Sequence, residues 1–281
     1  MYKEVLARIY HYVTGYYVLS FPKCGRTWFR FMLGNALTNH FGVHTASLND
    51  VLMVKNLYRH NRKIPRIHFS HDDLPNWKWV DQIQSDKKFY RRKKVIFLIR
   101  DPRDLVVSNF YEKKYRGFKP RKGYDKKNFE GTISEFIRYE FGGLPNIVRY
   151  YNVWQQQMNV PRGFLMVRYE DLKSKPESVL EETLTFLGIR GIDPATLQQA
   201  IASSSFENMR KIEESDQLDN YRLGSAGGNN TSFKTRKGKV GSFREELSEE
   251  DITWMEQYID QHLHSYYSFY KTASVRIPEE I

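Results

Sequence analysis

Three groups of residues in this 281-residue chain have the types and spacing to hold an anion. The first is Pro22-Lys23-Cys24-Gly25-Arg26-Thr27-Trp28, a short turn with one lysine and one glycine at the mouth of a helical pattern. Backbone N–H groups at a helix N-terminus, together with the positive end of its dipole, cradle phosphate or sulfate. An ordinary strand-to-helix turn with a surface lysine accounts for the same letters. The segment is not a Walker sequence, because G-x-x-x-x-G-K-[ST] is absent and the lysine precedes the glycine. The second group is Arg100 with Ser108 eight residues later. A guanidinium at a strand end can clamp phosphate through two N–H groups, and a serine two turns along the next helix can add its hydroxyl. Asp101 and Asp104 offer the same arginine a structural ion pair instead. The third group is Arg236-Lys237-Gly238, with Gly241 beyond it. Two cations beside a glycine let backbone and side chains converge on one phosphate, and they also describe a basic surface loop.

Each group follows a segment able to position it. Tyr16 to Phe21 is aromatic and β-branched, ends at Pro22, and leads into Thr27 to Asn39 with apolar residues at Trp28, Phe31, Met32 and Leu37: strand, tight loop, helix. Val95 to Ile99 is wholly apolar, ends at Arg100, and is followed by a helical pattern through Leu105, Val106 and Tyr111. A strand with no polar face is covered on both sides, as in a parallel sheet. Phe164 to Val167 repeats the pattern, with Tyr169-Glu170-Asp171 after it and a helix from about Pro176 to Leu187 closed by Gly188. Arg66 to His71 alternates and reads as a further strand. This grammar predicts a doubly wound α/β parallel sheet flanked by helices, with ligands bound beyond the carboxyl ends of the strands. Residues 225–230, SAGGNN, read as a low-order loop leading into the basic 235–241 segment. Ser248, with Asp251 three residues on, reads as a capping-box helix start.

Composition bounds the remainder. With 40% hydrophobic and 15% aromatic residues the chain can bury a full core, and residues 1–281 read as a single domain. No stretch reaches the ~20 apolar residues of a membrane span, and Lys3, Glu4 and Arg8 stand where a signal peptide would be apolar. Cys24 is the one cysteine, so an intrachain disulfide is impossible and a reducing, cytoplasmic setting fits. A net charge of +11 favours anionic ligands without choosing among nucleotide, polyanionic acceptor and nucleic acid. The basic clusters at 87–94 and 113–127 read as solvated faces. His40 and His44 do not share a helix face, because Gly42 ends the helix between them, and no metal-ligand cluster is evident.

Taken in order, the motifs resemble the PAPS-dependent sulfotransferase family, in which PAPS is 3′-phosphoadenosine 5′-phosphosulfate. The family pattern P-K-[ST]-G-T-T-W aligns with Pro22-Lys23-Cys24-Gly25-Arg26-Thr27-Trp28, and R-[DN]-P-[RK]-D with a serine eight residues after the arginine is met by Arg100-Asp101-Pro102-Arg103-Asp104 and Ser108. A Y-E-D motif follows at Tyr169-Glu170-Asp171, and R-K-G-x-x-G at Arg236 to Gly241. The resemblance covers residues 16 to about 260. It implies the P-loop-like sulfotransferase fold and PAPS as co-substrate. Lys23, Cys24, Gly25, Arg26 and Thr27 would then belong to the 5′-phosphosulfate loop, and Trp28 would stack on adenine. Arg100, Ser108, Arg236, Lys237 and Gly238 would hold the 3′-phosphate, Tyr169 would face the adenine edge, and Ser204 and Phe206 match a further nucleotide segment. The chain departs from the pattern at Cys24, Arg26 and Phe69, the last where cytosolic members often carry lysine.

The implied reaction is in-line displacement at sulfur, with no divalent metal required. Negative charge grows on the leaving phosphate oxygen, where a fixed cation stabilises it, and Lys23 fills that role. The attacking hydroxyl or amine loses a proton to a base. The resemblance puts that base on a K-T-H strand segment, aligned with Phe69-Ser70-His71, so His71 is the candidate, with His68, Asp72 and Asp73 as rivals. The expected acceptor is a small molecule or a glycan rather than nucleic acid. Tyr115, Phe118, Tyr124 and Phe129 suit an apolar acceptor, and the basic residues beside them suit an acidic one. The oligomeric state is open. Two other readings are a P-loop-type kinase and a non-catalytic basic protein that binds polyanions.

Overall fold

A computed structural model of the chain describes residues 10–116, 129–214 and 238–272. Arg236, Lys237, the 225–230 stretch, and Phe118 and Tyr124 lie outside the described residues. Four strands, β1 (Tyr16–Ser20), β2 (Ile67–Ser70), β3 (Lys94–Ile99) and β4 (Gly163–Arg168), form one parallel sheet in the order β2-β1-β3-β4. The register pairs Leu19 with Ser70, Ser20 with Leu98, and Ile99 with Arg168, so the strands end level with one another. The alternating segment predicted at Arg66 to His71 is β2, an edge strand.

Helices cover both faces, as the all-apolar β3 requires. Val95 to Ile99 have no measurable exposure. α1 (Arg26–His40) runs from the end of β1, and eight of its residues from Phe29 to Leu37, Arg30 and Gly34 included, are buried. α2 (Pro102–Tyr111) follows β3 after Asp101, whose carboxylate caps the helix by accepting from Arg103 N, with Pro102 in its first turn. α3 (Leu144–Gln157) brings Tyr150 and Trp154 onto Phe97 at ring-centroid distances of 5.8 and 5.4 Å, pairs that add ~0.5–1.5 kcal/mol each beyond area burial. α4 (Tyr169–Ser174) and α5 (Pro176–Phe186) follow β4, and α6 (Pro194–Ser203) and α7 (Phe206–Glu214) come next. α8 (Glu249–His262) is the last described α-helix, followed by a 3-10 turn at Ser265–Tyr270. Ser248 caps it by accepting from Asp251 N, but the reciprocal half of the expected capping box is missing: the Asp251 carboxylate takes Ser134 Oγ and Arg138 Nη1 instead. α1 ends at His40, with Gly42 at φ 62° beyond it.

The strand order fixes where a ligand can bind. From β1 the chain moves outward to β2, and from β3 it moves the other way to β4. Between the carboxyl ends of β1 and β3 the connections diverge and leave a crevice, the topological switch point of an open parallel sheet. The 22–28 turn and Arg100 stand at those two strand ends. Among the described residues no helix is long and apolar enough to cross a membrane.

Candidate active site

The loop after β1 turns twice through left-handed backbone, at Lys23 (φ 75°) and Gly25 (φ 82°). Gly25 is the N-cap residue of α1, no side chain caps the helix, and its first turn contains no acidic residue. The positive end of its dipole, met by neither a side-chain cap nor an acidic residue, therefore favours an anion. Glycine is required at 25 for two reasons: the positive φ, and the Tyr169 ring, whose Cδ2 would lie 2.6 Å from an added Cβ. The Cys24 side chain leaves the site altogether. It is fully buried with Sγ 3.8 Å from Tyr151 Oη, and burial pushes its thiol up to about 12. What Cys24 can offer an anion is its backbone, which is why a thiol can replace the Ser or Thr of the family pattern.

Arg100 joins the loop to the late glycine segment. It is 8% exposed, with Nη1 3.4 Å from the Lys23 carbonyl, Nη2 3.4 Å from the Lys239 carbonyl, and Nη2 3.7 Å from Asp104 Oδ2. These contacts are long for a guanidinium, and Nε is buried without a hydrogen-bond partner among the described residues. Its carbon lies 4.7 Å from the Tyr169 ring centroid, so the plane is held while its strongest donors remain underused. The backbone of Arg100 is pinned by Tyr151, whose hydroxyl accepts from Arg100 N at 2.9 Å and donates to Arg100 O at 2.8 Å. Ser108 is partly exposed on α2, one turn beyond Asp104.

Asp104 fastens the late segment. Its carboxylate accepts from Gly241 N at 2.8 Å, Phe243 N at 3.1 Å and Ser242 Oγ at 3.2 Å, and it is 1% exposed. Gly238, at φ 61°, is seated on the Phe206 ring, which an added Cβ would approach to 2.7 Å. Phe206 opens α7 beside Ser204. Ser204 is fully buried: its hydroxyl accepts from Asn35 Nδ2 at 3.2 Å and its carbonyl from Trp28 Nε1 at 2.6 Å. Its hydroxyl thus braces Asn35 and its carbonyl aims the Trp28 indole, which meets Tyr169 edge-on at 5.9 Å. Trp28, Tyr169, Phe206 and Gly238 form the aromatic side of the site, and Lys23, Arg26 and Arg100 form its cationic side.

His71 follows β2 beside the end of β1. Nδ1 lies 3.0 Å from the Ser20 carbonyl, and Arg26 Nη2 lies 2.5 Å from Nε2. A carbonyl only accepts, so the neutral ring carries its proton on Nδ1 and presents a lone pair at Nε2. The rivals are differently engaged. Asp72 accepts from Lys87 Nζ at 2.6 Å and Tyr90 Oη at 2.8 Å, Asp73 accepts from Lys78 Nζ at 2.8 Å, and His68 Nδ1 lies 3.3 Å from Tyr10 Oη.

The structure also brings in residues that sequence reading passed over. Asn35, about two helical turns past Trp28, reads in sequence like any polar helix residue. Tyr151 lies within α3 and reads as core. Asp104 reads in sequence as a motif letter and as a partner for Arg100, not as the anchor of the late segment. Glu112, whose Oε2 lies 2.9 Å from Lys23 Nζ, falls outside every motif, and the one available signal was its place four residues after Ser108.

A family model described as a sulfotransferase domain matches residues 16–267. Cytosolic sulfotransferase 12 of Arabidopsis thaliana is 25% identical over 250 residues, covering 81% of this chain and 71% of that protein. The 3-beta-hydroxysteroid sulfotransferase of Cavia porcellus is 29% identical over 194 residues, covering 66% of this chain and 58% of the relative. Among solved structures, a mouse sulfotransferase complexed with PAP superposes with a TM-score of 0.57 at 16% identity, covering 89% of this chain and 84% of its own. That likeness establishes a shared fold.

Proposed function

This chain belongs to the sulfotransferase family, and we propose that it moves a sulfuryl group from PAPS to a hydroxyl or amine on a small-molecule acceptor, with His71 as general base. One observation carries the reading. Arg100 is a buried cation in contact with both the loop after β1 and the segment after Gly238, and its Nε–H has no hydrogen-bond partner among the described residues. A nucleotide with phosphate at both its 3′ and 5′ positions fits that pairing of sites.

On this reading Arg100, Ser108 and Gly238 hold the 3′-phosphate, and the amides of residues 23–27 with Lys23 and Arg26 hold the 5′ end. Trp28, Tyr169 and Phe206 receive the base. The co-substrate supplies the sulfuryl group and a bisphosphate leaving group. Lys23 places a fixed positive charge where negative charge develops on the departing oxygen, a preorganised electrostatic contribution worth ~2.7–4 kcal/mol for a single donor in other enzymes. His71 is set in the tautomer a base needs, and its Nε2 becomes available when Arg26 turns to another acceptor. The name of the guinea-pig relative, a hydroxysteroid sulfotransferase, supports a hydroxylated small molecule as the acceptor class.

Transfer of label from sulfur-35 PAPS across a panel of phenols, aliphatic alcohols, amines and sulfated glycans tests the proposal. Labelled product with small hydroxyl or amine acceptors, dependent on His71, is the expected result. Nucleotide binding with no transfer to any acceptor, or undiminished transfer by His71→Gln, would overturn it.

A further inference from the structure

Lys23 already has a counter-ion. Glu112 Oε2 lies 2.9 Å from Lys23 Nζ, and the two side chains are only 23% and 16% exposed, so the pair is sheltered and its attraction weakly screened. Glu112 opens a five-residue π-helical turn, Glu112–Arg116, that continues α2 directly. Such wide turns are uncommon and often occur at functional sites. The next residue fixes this one in place: the Lys113 ammonium is buried, donates to Phe141 O at 3.0 Å, and lies 4.5 and 4.4 Å from the Trp77 and Phe141 ring centroids. With Lys113 anchored inward and Tyr111 Oη donating to Glu246 at 2.6 Å, the turn cannot drift away from the loop after β1. An anion arriving at Lys23 must therefore displace a carboxylate that the fold holds against it.

We infer that Glu112 is a positioning residue acting through Lys23, making nucleotide binding an exchange of one anion for another and hastening release of the bisphosphate product. When the product leaves, Glu112 recaptures Lys23 and neutralises the cation that would otherwise hold the nucleotide back. The inference rests on the reading of Lys23 as part of the nucleotide site.

The test is the dissociation constant and off-rate of adenosine 3′,5′-bisphosphate, without magnesium, for wild type, E112Q, K23M and the double variant, with E112S as a second neutral replacement. If the pair occupies Lys23 about nine-tenths of the time, its removal tightens binding about tenfold. E112Q and E112S are expected to show that gain with a slower off-rate, and E112Q is expected to change nothing in the K23M background. A general effect of one fewer negative charge would persist in that background, so equal tightening there overturns the inference. Unchanged or weaker binding by E112Q and E112S also overturns it. Failure of the wild type to bind the bisphosphate at all would instead sink the nucleotide reading itself.

Discussion

His71 shows how much one side chain's role depends on the atoms around it. The Ser20 carbonyl dictates where the ring keeps its proton, and Arg26 occupies the nitrogen left bare. Replacing His71 with glutamine leaves the loop, Arg100 and the aromatic side in place. Turnover is therefore expected to fall by about 10²–10⁴, the usual contribution of a positioned base, while the affinity for adenosine 3′,5′-bisphosphate stays within a few-fold. Steady-state kinetics beside calorimetry separates the two quantities, and a parallel loss of both would mean that His71 acts in binding. Cys24 makes the complementary point. Its place in the motif reads as an anion contact, but the fold turns the thiol into the core against Tyr151.

At the scale of elements, the site depends on a buried carboxylate and a buried ammonium at either end of α2. Asp104 accepts three donors from the segment after Gly238, and an asparagine there would set an amide against at least one backbone N–H. Asp104→Asn is expected to destabilise the fold by ~1–3 kcal/mol, the usual cost of a buried polar group left unpaired, and to weaken bisphosphate binding at least about tenfold. Urea unfolding and limited proteolysis of the 238–245 segment check the two halves. At the other end, burial pushes the Lys113 ammonium from 10.5 down to about 7. Between those values the unfolded chain binds a proton that the native chain does not, so native stability rises with pH through that window and is flat below it. Lys113→Met removes this dependence. The unfolding free energy of wild type minus that of the variant is therefore expected to increase from pH 7 to pH 10 in denaturant titrations. A difference that stays level would contradict a neutral Lys113.

For the molecule as a whole, the sheet was the most legible part of the sequence, because a run such as Val95 to Ile99, with no polar face, has few places to go except between two layers of helices. The loop after β1 and Arg100 stood out because each follows a strand end directly. Asn35, Asp104, Tyr151 and Glu112 did not, since the meaning of each lies in a partner 51 to 169 positions away in the chain. Gly238 and Phe206 were each readable as motif letters, but their contact was not. Two distant stretches of chain, joined by Arg100, are proposed to recognise both phosphates of one nucleotide. Calorimetric titration of adenosine 3′,5′-bisphosphate against adenosine 5′-monophosphate, without magnesium, in wild type and Arg100→Met, tests it most directly. The bisphosphate is expected to bind wild type at least about thirtyfold more tightly, the lower end of the ~2–5 kcal/mol that a buried charge pairing is worth, and Arg100→Met is expected to remove most of the difference. Equal affinity of wild type for the two nucleotides, or a preference that survives in Arg100→Met, would contradict it.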